Sequence, residues 1–478
     1  MIHRNFIAGE WSTGADASRN INPSDTADVV GEYSRGTASD ARTAVAAANR
    51  AFPAWSLSSP QERADILDKV GAEILARRSE LGDLLAREEG KTLPEAVGEV
   101  TRAGYIFKYF AGEAVRLSGD SLRSIRPSID VEVTREPVGV VGILTPWNFP
   151  IAIPSWKIAP ALAFGNCVVF KPADLVPGSA WALADIIVRS GIPAGVFNLV
   201  MGRGSIVGEA IVSDPNIHAL SFTGSVATGR GILQAAAPRG LKVQLEMGGK
   251  NPLVILADSN LETAVRAALD GAYFATGQRC TASSRLIVES EIHDRFVAGL
   301  TEALERQVVG DARKPGTTIG PVVDEKQLAQ DLDYVQIGLA EGARLVAGGA
   351  TVARATPGHY MAPALFTETR SEQRINQEEI FGPVAGVIRA ANYEEALAIA
   401  NDTPFGLCAG ICTTSLEYAR HFQRNAAAGM VMVNLPTAGV DYHVPFGGRN
   451  ASSYGPREQG QSAQEFYTVT KTTYIKSS

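Results

Sequence analysis

Val138-Gly-Val-Val-Gly-Ile-Leu144-Thr145-Pro146-Trp147-Asn148-Phe149-Pro150 is the stretch whose reading decides the fold class. Apart from its glycines, Val138–Leu144 is apolar and mostly β-branched, as a strand buried on both faces must be. The prolines then disfavour helix on either side of Trp-Asn-Phe. Asn148 is therefore expected in a rigid loop at the carboxyl end of the strand, the edge where open α/β sheets bind ligands. Comparable apolar runs follow at Val168–Phe170, Val196–Val200, Ala219–Phe222 and Val243–Leu245. Between them, Ser179–Ser190, stopped by Gly191, and Ser205–Val212 carry apolar residues at helical spacing. Strands alternating with helices predict βαβ units and a mostly parallel sheet.

Outward from this region the texture changes. Residues 39 to about 118 read as helices, with Ser39 as an N-cap and Ser59-Pro60 opening a second helix. Downstream, strand Leu253–Ile255, helix Leu261–Thr276, strand Leu286–Val288 and helix Ile292–Val308 predict a second α/β unit beginning near Glu246. Ser128–Arg135 and Glu465–Ile475 alternate polar and apolar residues and are expected to pair as a small separate sheet.

At 478 residues the chain is long enough for two or three domains. A formal charge of −7 without a basic run argues against nucleic acid as a partner. The N-terminus lacks a signal-peptide pattern and no 18-residue apolar stretch occurs, so the expected setting is the cytoplasm, without a membrane span. Four cysteines in a chain this long, none as CxxC, are not a disulfide framework and leave a thiol free for chemistry. No metal site is expected.

Cys280, in Thr276-Gly-Gln-Arg-Cys280-Thr-Ala-Ser, has small and polar neighbours, whereas Cys167 sits among apolar ones. From the residues alone, a nucleophile and an inert buried thiol are equally open for Cys280. The Asn148 amide could donate to an oxyanion or merely cap its own turn. Glu246, leaving a buried strand before Met-Gly-Gly, suits a general base if desolvated; a solvated strand-end glutamate is the blander reading. Ser221-Phe-Thr-Gly224-Ser225 joins a strand to a helix start, which can hold phosphate. Lys171 and Asp174 follow another strand and could hold ribose hydroxyls or form a surface charge pair.

Taken together and in order, these segments closely resemble the aldehyde dehydrogenase superfamily over essentially the whole chain. The resemblance rests on TPWNFP with Asn148, KPAD with Lys171, FTGS with Gly224-Ser225, LEMGGKNP with Glu246, GQRC with Cys280, EEIFGP with Glu379, and PFGG at 445–448. It implies an α/β subunit in three parts: a Rossmann-like cofactor domain (1–118 and 137–246), a catalytic domain (247–450) and an oligomerising β-flap (119–136 and 451–478), assembled as a homodimer or homotetramer. It also implies that Cys280 is the nucleophile, that Asn148 and the Cys280 N–H hold the oxyanion, and that Glu246 activates water. Thr145, Trp147, Lys171, Asp174, Gly204, Gly224, Ser225, Glu379 and Phe381 would contact the cofactor, and Phe149, Trp156, Thr281 and Phe446 the substrate. Relatives that pass the acyl group to CoA lack the carboxylate at 246, so its presence favours hydrolysis to a free acid. A non-catalytic structural protein of this fold would have lost Cys280, Glu246 or Asn148. After PFGG the chain departs from the family's usual continuation by one extra residue.

Arg279 precedes the nucleophile and, by the family register, Arg102 faces the tunnel mouth. Two arginines there would clamp a carboxylate or phosphate, although a helix-surface Arg102 and a structural Arg279 stay open. With Phe-Gly-Gly-Arg-x-x-Ser-Ser-Tyr-Gly-Pro-Arg-Glu-Gln-Gly, the resemblance is greatest to enzymes acting on α-ketoglutarate semialdehyde (2,5-dioxopentanoate). Succinate or glutarate semialdehyde, or a broad range of aldehydes, are the alternatives. An acid at 174 would bond a ribose 2′-hydroxyl and repel a 2′-phosphate, so NAD is expected, with some use of NADP.

Overall fold

The computed structural model describes residues 1–476. Its largest sheet has eight strands, and the run Val140–Leu144 lies inside it, buried at every position. From one edge the order is Ser453–Tyr454, Lys242–Glu246, Ala219–Thr223, Val140–Leu144, Cys167–Lys171, Phe197–Leu199, Asn5–Ile7 and Glu10–Ser12. The strands from Lys242–Glu246 through Phe197–Leu199 run parallel, and the outer ones antiparallel. Register is decisive for function: Phe222 lies beside both Leu144 and Leu245, Leu144 beside Lys171, and Thr223 beside Glu246. The residues following Leu144, Thr223 and Glu246 therefore leave the sheet along one edge.

A second, seven-stranded sheet contains Pro252–Ile255, Arg285–Glu289, Val384–Ala390 and Cys408–Cys412 in its parallel core, with Arg344–Ala347 as an antiparallel edge. Ile129–Pro137 pairs with Thr468–Lys476 over nine residues, and with Asp120–Arg123, to form a separate three-stranded sheet. Residues 39–118 fold mainly as the helices Ala38–Ser56, Pro60–Ala76, Arg78–Glu89 and Leu93–Ala114. Thr37, not Ser39, caps the first through a reciprocal bond with Asp40, while Ser59 caps the second as expected.

Three elements differ from expectation: of the strand expected over Glu465–Ile475, the residues through Tyr467 lie in the short helix Gln464–Tyr467 and the strand begins at Thr468. Ser205–Val212 becomes a widened turn, Gly204–Gly208, followed by the short helix Glu209–Ser213. Helix Leu261–Tyr273 stops before Thr276 because Ala275 (φ 51°), Thr276 (φ 57°) and Gly277 (φ 69°) turn left-handed in succession. For the two non-glycine residues this costs about 1–2 kcal/mol each. Long-range bonds hold the turn: the Ala275 N–H donates to Glu95 at 2.8 Å and the Thr276 hydroxyl to the Gly320 carbonyl at 3.2 Å. A Cβ at Gly277 would lie 2.3 Å from the Gly382 oxygen, so glycine is required there on both counts.

Candidate active site

That turn delivers Cys280 to the wall between two cavities. The first, about 360 Å³, is lined by Trp147, Asn148, Gly224, Ser225, Glu246, Glu379, Phe381 and Phe446. The second, about 370 Å³, is lined by Arg102, Phe149, Trp156, Arg279, Thr281 and Phe446, among others. Cys280 and Phe446 border both. A reacting carbon at Cys280 is thus reachable from two directions by two different molecules.

Asn148 is fixed before anything binds. Its amide donates to the Gln278 carbonyl at 3.0 Å, using one of its two N–H bonds. Its own carbonyl receives the ammonium of Lys91, which pairs with Glu99 at 2.9 Å in a fully buried setting. Glu99 in turn accepts the N–H groups of Ile151 and Ala152, both at 3.1 Å, at the head of helix Ala152–Ala163. One buried ion pair therefore ties the loop of Asn148 to the helix that follows.

Burial pushes the Cys280 thiol up to about 12, and the carboxylates of Glu379 and Glu246 add to the effect against Arg279. The thiol needs a proton acceptor to become nucleophilic. Glu246 is also held well above the usual carboxylate range, first by desolvation and then by the charge of Glu458, while the Ser453 hydroxyl bonds it at 2.6 Å. Glu379 accepts the Gly249 N–H at 2.9 Å and lies so close to Gly248 that a Cβ there would meet its oxygen at 2.0 Å. In the same cavity Trp147 and Phe381 meet edge to face at 5.4 Å, and Ser225 caps helix Val226–Ala236. Aromatic walls, a bare glycine backbone and a helix N-terminus fit a flat ring joined to phosphates.

Four expected cofactor contacts lie outside that lining. Thr145 is buried, its hydroxyl without a partner among the described residues, and Gly204 opens the widened turn. Lys171 is buried and bonded to the Pro172 carbonyl at 2.5 Å, its ammonium lowered to about 8 by desolvation. Asp174 is not free: Arg35 grips both its oxygens, at 3.0 and 2.6 Å. The acid expected to repel a 2′-phosphate is largely neutralised by that fork.

Both arginines reach the second cavity. Arg279 is buried, donates to the Asp270 and Gly271 carbonyls at 2.7 and 2.9 Å, and lies over Phe274 at 4.7 Å. Arg102 lies over Trp156 at 5.4 Å. Each keeps a buried Nε without a partner among the described residues, and desolvation lowers each to about 10. Sequence reasoning missed Glu458, which accepts the Trp156 indole N–H at 2.6 Å and the Lys157 ammonium, with Lys157 also on Ser221 at 2.9 Å. The signal was present: one lysine in the apolar helix Ala152–Ala163 requires a buried anion.

Comparison with known proteins agrees with this geometry. The aldehyde dehydrogenase family profile matches residues 11–473, and the chain belongs to that family. It is 44% identical over 476 residues to the alpha-ketoglutaric semialdehyde dehydrogenase of Bacillus subtilis, covering 99% of this chain and 98% of that protein. It is 42% identical to the alpha-ketoglutarate semialdehyde dehydrogenase of Haloferax volcanii, covering 98% of each. Among solved structures, betaine aldehyde dehydrogenase of Staphylococcus aureus in complex with NAD+ superposes with a TM-score of 0.97 at 34% identity, covering 99% of this chain and 95% of that one.

Proposed function

We propose that this protein oxidises an aldehyde bearing a carboxylate, with α-ketoglutarate semialdehyde as its substrate, to the dicarboxylic acid. The observation that carries this reading is the pair of arginines, Arg102 half-buried and Arg279 buried, that line the cavity ending at Cys280. The names of the relatives above support it.

Cys280, once deprotonated, attacks the aldehyde carbon, and the spare N–H of Asn148 with the Cys280 main-chain N–H holds the oxyanion. Trp147, Gly224, Ser225, Glu379 and Phe381 would hold NAD, or NADP, which when bound would supply the acceptor for the hydride. Cys280 is then a thioester. Glu246 takes a proton from the water that attacks it, and the thiolate leaves as the acid is released.

The domain scheme belongs to the same proposal: 1–118 with 137–246 for the cofactor, 247–450 for catalysis, and 119–136 with 451–478 as the oligomerising flap of a homodimer or homotetramer. Ser453–Tyr454 edges the eight-stranded sheet instead, so the second flap segment is better begun at Thr468.

Reduction of NAD and of NADP, followed by absorbance with 2,5-dioxopentanoate, succinate semialdehyde, glyceraldehyde phosphate and pentanal, tests the reading. We expect kcat/KM to be highest for 2,5-dioxopentanoate and Cys280→Ala to abolish turnover. Equal kcat/KM for pentanal would sink the carboxylate assignment.

A further inference from the structure

Gln459 makes a contact that the catalytic scheme does not use. Its side-chain oxygen accepts Nη2 of Arg102 at 3.0 Å across 357 residues of sequence. The residue has no solvent exposure, so it cannot itself touch a ligand in the cavity. Its backbone is left-handed (φ 60°), unusual for a residue with a side chain, and its Nε2 is buried without a partner among the described residues. Both features are costs, and they recur where surrounding structure enforces a particular placement. That enforcement is visible next door: Glu458 exchanges two main-chain bonds with Phe446, at 2.7 and 2.9 Å. The Glu458 carboxylate also holds the Trp156 indole at 2.6 Å. The dipeptide 458–459 thus fixes both the aromatic platform under Arg102 and the direction of its guanidinium.

We infer that Gln459 is a positioning residue that aims Arg102 into the substrate cavity and so sets the preference for aldehydes ending in a carboxylate. This rests on the carboxylate reading proposed above. A neutral acceptor is what the task requires. It takes one N–H of the fork, pins the plane against Trp156, and leaves the positive charge uncancelled for the ligand. A glutamate there would hold the same geometry but consume the charge.

The test is steady-state kinetics of the full-length enzyme with NAD, comparing 2,5-dioxopentanoate with pentanal. For Gln459→Met, which keeps shape and loses the acceptor, we expect the ratio of the two KM values (anionic over uncharged) to rise about tenfold, the effect of losing one hydrogen bond to a charged group. Gln459→Glu should raise the ratio as well, and it carries the test if the methionine variant fails to fold. In a double-mutant cycle, Arg102→Met with Gln459→Met should be no worse than Arg102→Met alone. Equal loss of kcat on both aldehydes, or additive effects in the cycle, would overturn the positioning role. If Arg102→Met leaves the anionic KM unchanged, it is the carboxylate reading that fails; if Arg102→Met raises it and both Gln459 variants do not, only the present inference fails.

Discussion

A carboxyl walled off from water and facing a second carboxyl keeps its proton to higher pH. Glu246 is in that position, with desolvation the larger cause and Glu458 the next. As the base for thioester hydrolysis it must be ionised, so turnover should rise with pH along a limb set by its raised pKa. Glu458→Gln removes the neighbouring negative charge and leaves Lys157 unpaired, and both changes favour ionised Glu246. The acid limb of the kcat profile should therefore move to lower pH. Breaking the buried pair should also cost about 3–5 kcal/mol of stability, read as a fall in Tm. An acid limb that stays in place would show that Glu458 does not act on the base. Glu246→Gln, by contrast, should give a burst of NADH followed by arrest at the acyl-enzyme.

Among the elements, helix Glu325–Ala340 supports the loop that carries Glu379 and Phe381. Gln327 and Gln330 donate to the Ile380 carbonyl at 3.0 and 2.8 Å, and both border the cavity proposed for the cofactor. Asp331 on the same helix is buried against Gly382, where a Cβ would meet its carboxyl at 2.2 Å. Desolvation raises it to about 8, and its Oδ2 has no partner among the described residues. A folded-state pKa above the unfolded value of 3.8 gives stability that is full below that value and lost as pH rises through about 8. Asp331→Asn removes the ionisation, so its Tm should exceed that of the wild type at pH 9 and approach it near pH 4. A constant difference across that range would refute a titrating Asp331.

At this scale the sequence was legible wherever one physical demand dominated. Strands buried on both faces had to be β-branched runs, and the prolines around Trp147–Phe149 had to end a strand in a loop. What escaped depended on partners far along the chain. Ala275 and Thr276 carry no compositional mark of a left-handed turn; Glu95 and the Gly320 carbonyl impose it. Nothing around Asp174 announced Arg35, and nothing around Gln459 announced Arg102.

For the whole molecule, the three-stranded sheet poses a problem that one subunit does not solve. Strand Thr468–Lys476 pairs along one edge with Ile129–Pro137, and its other edge has no strand partner among the described residues. Nine residues of open backbone edge invite pairing with another chain. Cross-strand register also aligns Leu122, Val131 and Tyr474 in one row, with Leu122 54% and Tyr474 61% exposed. Val131 itself is buried, and the two exposed side chains that flank it beside an unpaired edge are better explained by a covering subunit than by water. We therefore expect a homodimer or homotetramer by light scattering. Leu122→Asp combined with Tyr474→Asp should lower the molar mass and make Tm depend more steeply on protein concentration, since association stabilises by mass action. The row lies outside both cavities, so the dissociated chain should still form the Cys280 thioester in a single-turnover assay. A wild-type protein of subunit mass at micromolar concentration would remove the oligomerising role from this sheet and leave its apolar row without a partner.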